Sequence, residues 1–196
     1  MREAERNYFR DLYEVAAAIN SAGTSDSVLK SIVANVAKAL KAKGSSIMLL
    51  TPDKKSLIHS ISYGLSEAFT DSGPRSVEKS LPETVVGKGK EAIVYDVATE
   101  GNRVQFPELA KKEGIVSILA VPMRLRDDII GQLRVYTAEP RHFSDNDRYF
   151  VQAVANLGAI ALENARLVES SQNAYEALTR DFLSFRFTRG GPTRYS

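Results

Sequence analysis

Residues 115–137 read Ile-Val-Ser-Ile-Leu-Ala-Val-Pro-Met-Arg-Leu-Arg-Asp-Asp-Ile-Ile-Gly-Gln-Leu-Arg-Val-Tyr-Thr. From Ile115 to Met123 the run is apolar almost without interruption, the pattern of a strand covered on both faces and so central in its sheet. Arg126-Asp127-Asp128 supplies a turn, and Ile129 to Thr137 reads as the partner strand. The partner alternates: Gln132, Arg134 and Tyr136 share one face, Leu133 and Val135 the other. A polar row on a strand that should be covered on both sides leaves two readings open. Either the row faces a polar interior, or the strand is partly exposed and Arg134 reaches water along its aliphatic stem.

Upstream, Glu3 to Ala22 places Tyr8, Leu12, Val15 and Ile19 at spacings of 4, 3 and 4, one apolar face of a helix that Gly23 stops. Thr24 and Ser25 offer N-cap hydroxyls, and Val28, Leu29, Ile32, Val33, Val36 and Leu40 define a second amphipathic helix ending at Gly44. Ser46 to Thr51 and Leu57 to Tyr63 flank a Pro-Asp-Lys-Lys turn and predict an antiparallel hairpin. Between Gly64 and Gly114 long periodicity disappears. The spacing there predicts a capping box at Ser80-Leu81-Pro82-Glu83, a strand over Ala92 to Val97, a loop over Glu100 to Pro107 and a short helix over Glu108 to Glu113.

Downstream, Ser144 caps a final helix with Asp147 in the capping-box position. Phe150, Val154, Leu157, Ala161, Ala165, Val168, Tyr175 and Phe182 carry its apolar spacing on, with Gly158 the one internal breaker. A helix over Asp145 to Phe187 is about 65 Å long, more than a single sheet needs, so its far end should pack on something else. The expected divisions are a domain over 1–168, a helical extension over 169–187 that makes a coiled-coil or dimer contact, and a disordered tail over 188–196.

Composition removes several classes of function. With 26 basic against 24 acidic residues and a net charge of +2, there is no footprint for nucleic acid or anionic lipid. The absence of cysteine excludes disulfides, thiolate metal sites, cysteine nucleophiles and thioether-linked chromophores. Met1 to Arg10 is charged and lacks the apolar core of a signal peptide, and no apolar run approaches about 18 residues. A cytoplasmic protein without membrane insertion is expected. His59 alternates with Leu57, Ile61 and Tyr63 on one predicted strand face and is read as a structural or solvent-facing strand residue in preference to a heme ligand; His142 is read as surface. Gly87-x-Gly89 lacks the spacing of a nucleotide-binding loop and reads as helix termination. No nucleophile, base and orienting group can be assembled, so no enzymatic activity and no metal site are expected.

The order helix, helix, hairpin, irregular middle, two long strands, long helix resembles the GAF domain, a family of cytosolic sensory and ligand-binding modules. Six strings carry the resemblance in order: Gly64-Leu65-Ser66; Gly87-Lys88-Gly89 with Ala92-Ile93-Val94-Tyr95-Asp96-Val97; Ser117-Ile118-Leu119-Ala120-Val121-Pro122; Ile130-Gly131-Gln132-Leu133; Phe143-Ser144-Asp145-Asn146-Asp147; and Ala159-Ile160-Ala161-Leu162-Glu163-Asn164-Ala165. The similarity spans Tyr8 to Val168. It implies an α+β, GAF/PAS-like fold: a central antiparallel sheet of five or six strands, the N- and C-terminal helices on one face, and variable loops and short helices on the other, where family members hold small ligands.

On that basis the candidate ligand-binding residues are Tyr63, Phe69, Tyr95, Asp96, Arg103, Phe106, Ser117, Arg134 and Tyr136, with Arg134 favouring an anionic group. The ligand itself is unknown. The cyclic-nucleotide signature of the family is missing, and covalent bilin attachment and thiol-based methionine sulfoxide reduction both need cysteines this chain lacks. The functions that compete are a sensory module in signal transduction that passes its signal through its terminal helices, and a non-sensory homodimerisation or protein-interaction scaffold with a filled pocket. Either reading implies a homodimer through the terminal helices, and the first implies a signalling partner protein.

Overall fold

A computed structural model of the chain describes residues 8–21 and 24–189. The helix start expected at Glu3, the stop expected at Gly23 and residues 190–196 of the tail expected to be disordered lie outside them. Thr188 and Arg189 continue the last helix.

Six strands form one antiparallel sheet: β1 (Gly44–Leu50), β2 (Ser56–Tyr63), β3 (Arg75–Ser76), β4 (Ala92–Val94), β5 (Ser117–Leu125) and β6 (Asp128–Thr137), in the order β3-β2-β1-β6-β5-β4. The 115–137 hairpin therefore provides two of the four interior strands, as its apolar run predicts. Pro122 in β5 lies beyond the end of the short β4, where the strand has a free edge and its missing N–H breaks no ladder. Gly131 is required where β6 meets β1, because a Cβ there would stand 2.3 Å from the Met48 carbonyl oxygen.

One face of the sheet carries α1 (Tyr8–Ser21), α2 (Ser25–Ala39) and α6 (Asp145–Arg189). Ile32, Val33 and Val36 of α2, Leu119 and Val121 of β5, Leu133 and Val135 of β6, and Phe150, Val154 and Leu162 of α6 close into a single apolar core. Gly158 does not break α6. It lies where α6 crosses α2, and a side chain there would meet Ile32 Cδ1 at 2.9 Å. The apolar stripe of α1 turns inward as well: Val15 is buried, and the Tyr8 ring lies 5.1 Å from that of Phe150.

The start of α6 is a hub. Ser144 and Asp147 form the expected capping box, with Ser144 N donating to Asp147 Oδ2 (2.9 Å) and Asp147 N donating to Ser144 Oγ (3.1 Å). Tyr8 Oη (2.6 Å) and Arg141 Nη2 (3.0 Å) both donate to Asp147 Oδ1. Burial by itself would raise the Asp147 carboxyl, but these bonds outweigh it and hold the group below the usual carboxylate range. From residue 166 to residue 180 every residue of α6 is exposed, and Glu169 in this stretch accepts from Ser25 N (3.2 Å) and Ser25 Oγ (3.0 Å) at the start of α2.

The opposite face is covered by residues 65–114, which hold α3 (Glu67–Thr70), α4 (Ser80–Pro82) running into a π-helical turn (Glu83–Gly87), a 3₁₀ turn (Gly101–Arg103) and α5 (Pro107–Lys112). Lys79 holds the N-cap position and Ser80 is the first helical residue, one place later than the cap that the sequence predicts. The strand expected to reach Val97 stops at Val94, where Asp96 turns the chain.

Candidate functional site

The parity of β6 selects what lies beneath residues 65–114. Gln132, Arg134 and Tyr136 all point to that side and are buried, with Arg134 only 5% exposed. Arg134 therefore does not reach water, and the reading of a partly exposed strand is overturned. Ile118 and Ala120 of β5 stand opposite Tyr136 and Arg134 in register. Phe69, Leu81 and Val85 descend from the covering segment to form a second, smaller apolar core with them.

Between these layers is a pocket lined by Phe69, Arg75, Leu81, Pro82, Val104, Gln105, Phe106, Ile118, Arg134 and Tyr136. The space open to the centre of a water molecule is about 10 Å³, room for about one water. Its polar content is unusual. Arg75, 7% exposed, donates from Nη1 to the Gly73 carbonyl (2.7 Å) and from Nη2 to Ser72 Oγ (2.5 Å), and its guanidinium lies 4.1 Å over the Phe106 ring. Arg134 donates from Nη2 and Nε to one oxygen, Gln132 Oε1, at 2.6 and 2.8 Å when the amide oxygen faces it.

Among the described residues neither guanidinium has a carboxylate within ion-pair distance. Burial, with the second guanidinium nearby, pushes the Arg75 pKa down to about 10, which leaves it charged at neutral pH. Tyr136 completes the wall, its hydroxyl 2.9 Å from Ser46 Oγ and its ring edge-on to Phe69. Gln105 fastens the outer rim: its amide accepts from Ser76 N (3.0 Å) and donates to Ser76 O (2.6 Å), continuing the sheet past β3 with a side chain.

Of the nine residues expected at a ligand site, Phe69, Phe106, Arg134 and Tyr136 come together here. The other five do not. A bulge pairs Ile47 with Ile61 but Met48 with His59, so β2 changes face at Ser60. Leu57 and His59 stay on the pocket side, whereas Ile61 joins the helix-side core and Tyr63 lies under Lys38 Nζ of α2. Tyr95 follows the end of β4 and packs its ring on His142. The Asp96 carboxylate accepts from Ala98 N in a turn, and Arg103 pairs with Glu100 at 2.6 Å. Ser117 is one residue out of phase with the pocket row, and its hydroxyl donates to the Tyr95 carbonyl and accepts from Arg141 N.

Sequence reasoning missed Arg75, Gln105 and Ile118. Arg75 lies in a two-residue strand that no periodicity marks, but Ile118 is recoverable by counting registers back from Tyr136 through the 126–128 turn. His59 also lies on the pocket face of the sheet. Its Nε2 is buried without a hydrogen-bond partner; burial depresses the imidazole pKa, Asp71 opposes the shift and Arg75 adds to it. Among the described residues no group of three metal-ligating side chains occurs.

A sheet of this order, with terminal helices on one face and a buried pocket under the irregular segment, defines the class. The family model for the GAF domain matches residues 22–163, and the chain belongs to the GAF domain family. The GAF domain of a Coxiella burnetii phosphoenolpyruvate-protein phosphotransferase is similar in structure, with 19% identity and a TM-score of 0.74 over 84% of this chain and 97% of that one. The corresponding Acinetobacter domain gives 20% identity and 0.71 over 85% and 99%. Free methionine-R-sulfoxide reductase from Neisseria meningitidis, solved with its substrate, gives 15% and 0.71 over 86% and 96%. At these identities the likeness is one of fold. No described helix is long and apolar enough to cross a membrane.

Proposed function

We propose that this GAF domain is a sensory or regulatory module that binds a small ligand noncovalently beneath residues 65–114 and passes binding to its terminal helices. In this reading it acts in the cytoplasm as a homodimer, signals to a partner protein and catalyses no reaction itself. The observation that carries the reading is the pair of buried guanidiniums without carboxylates. A core built only to be filled would place apolar groups there, since a buried charge costs several kcal/mol unless it is paired.

β6 offers the route outward, because Arg134 and Tyr136 on the pocket face alternate with Leu133 and Val135, which pack in the helix-side core. Signalling further requires that the ligand bind two helix arrangements with different affinity. The exposed Phe9 and Tyr13 of α1, and Leu167, Val168, Tyr175 and Leu178 of α6, supply apolar surface for a second copy.

A second reading, a dimerisation scaffold with a filled pocket, is favoured by the space for only one water. Mass spectrometry of the purified protein under native and denaturing conditions separates the two. The expected species is a dimer of 21.6 kDa chains carrying one extra small molecule per chain that denaturation releases. A clean monomer at micromolar concentration overturns the homodimer. A bare dimer that no metabolite stabilises against heat supports the scaffold.

A further inference from the structure

We infer that the ligand of this pocket is a small dianion, its carboxylate or phosphate oxygens held between Arg75 and Arg134. This rests on the reading of the chain as a ligand-binding module and names the chemistry that reading leaves open.

The argument is one of charge balance and unused donors. Arg75 and Arg134 are each more than nine-tenths buried, and both line the same small space. Arg75 spends its Nη groups on one hydroxyl and the carbonyls of its own loop, and Arg134 spends Nε and Nη2 on a single amide oxygen. Arg134 Nη1 has no acceptor among the described residues. All of these partners are neutral dipoles, so two positive charges remain in a low-dielectric site with nothing of opposite sign. Asp71, the acid whose field reaches His59, is exposed and makes no ion pair with either arginine.

A guanidinium presents a planar fork that matches carboxylate and phosphate oxygens, and two such forks facing one space fit a ligand with two negative charges. The sheet leaves a floor for it, because the register neighbours of Arg134 are the small residues Ser46 and Ala120. His59 Nε2, buried without a hydrogen-bond partner, lies on the same side of the sheet. The cover is Phe106, which stacks on Arg75, so the ligand enters by lifting Phe106 and the Gln105 strap beside it and occupies a pocket wider than the one-water space of the unliganded fold.

The test measures thermal unfolding and calorimetric binding of the full chain with succinate, inorganic phosphate, neutral succinamide and a set of uncharged and cationic metabolites. Succinate or phosphate at millimolar concentration should raise the melting temperature, and whichever shifts it more identifies the headgroup. Succinamide should not. Arg134→Met and Arg75→Met should weaken that binding at least about tenfold. Without ligand, Arg134→Met should melt within a few degrees of the parent, because the loss of a charge that nothing neutralises offsets the two bonds taken from Gln132 Oε1. That readout separates a ligand-binding arginine from a structural one.

If both methionine variants melt well below the parent, the arginines are structural and the inference falls. If a neutral or cationic compound binds and Arg134→Met leaves its affinity unchanged, the anion assignment falls while the ligand-binding reading stands. If no compound of any charge binds, both fall together.

Discussion

Asp147 and the Arg75–Arg134 pair are all buried charges, and the two sides of the sheet treat them in opposite ways. On the helix side Asp147 receives Tyr8, Ser144 and Arg141, so its charge is neutralised and both carboxylate oxygens are used. On the pocket side two guanidiniums share carbonyls, a hydroxyl and an amide, with no anion. The apolar packing divides the same way, into a large continuous core under the helices and a smaller one around the pocket. The helix side is complete as folded, whereas the pocket side is complete in shape and incomplete in charge. On the proposed reading, that difference is the one between a structural layer and a binding layer.

Adjacent residues of β5 test the difference in packing. Leu119 faces the helices and Ile118 the pocket, and both are fully buried. Leu119→Ala should cost about 4 kcal/mol, near the top of the range for a core that cannot collapse, and Ile118→Ala about 2 kcal/mol, because the covering segment can settle into the vacated volume. In thermal denaturation the two should differ by roughly 4–8 °C. Equal losses would break the comparison.

Asp147→Asn tests the difference in charge and should cost about 3 kcal/mol, since it leaves Arg141 partly buried without its partner. The contrast with Arg134→Met, expected to cost little because the lost charge offsets the bonds taken from Gln132, is the sharper for being made in one protein. The pH dependence follows in sign. The Asp147 carboxyl is held below its ordinary value in the folded protein, so its contribution is fully present above the unfolded pKa of about 4 and is lost as pH falls through the lower folded value. Acid unfolding of the parent should therefore steepen below about pH 4, and Asp147→Asn should flatten it. An unchanged acid limb in the variant would show that other carboxylates carry the effect.

Much of the helix side can be read in the chain, because long elements repeat their signal. The Leu133 and Val135 parity, the Ser144-x-x-Asp147 cap and the run of apolar residues along α6 each state a period or a spacing. The pocket side defeats such reading where its elements are short. The bulge at Ser60 reverses Tyr63 without changing any residue type, and Ile118 becomes visible only once the hairpin register is known. Arg75 occupies a strand of two residues, and its place is set by contacts with Ser72, Gly73 and Phe106. The convergence of Tyr8 and Arg141 on Asp147 is likewise a product of packing, although the cap itself is legible.

The smallest expected effect lies at the pocket rim. Gln105 reaches across to Ser76 N and O and to the Lys79 carbonyl, so its amide stands in for a strand that β3 lacks. Gln105→Ala returns those backbone groups to water at the rim and should cost only about 1 kcal/mol globally. Locally the consequence should be larger. With the strap gone, residues 75–79 and 101–106 are held by Phe106 stacking on Arg75, and their amide hydrogens should exchange faster while those of β5 and β6 stay protected. The same variant should bind and release a ligand of the pocket faster with little change in equilibrium affinity, because the strap touches the cover and neither guanidinium. Uniform acceleration of exchange through β5 and β6 would mean that rim and core open as one unit, and the two sides of the sheet would then share a single stability.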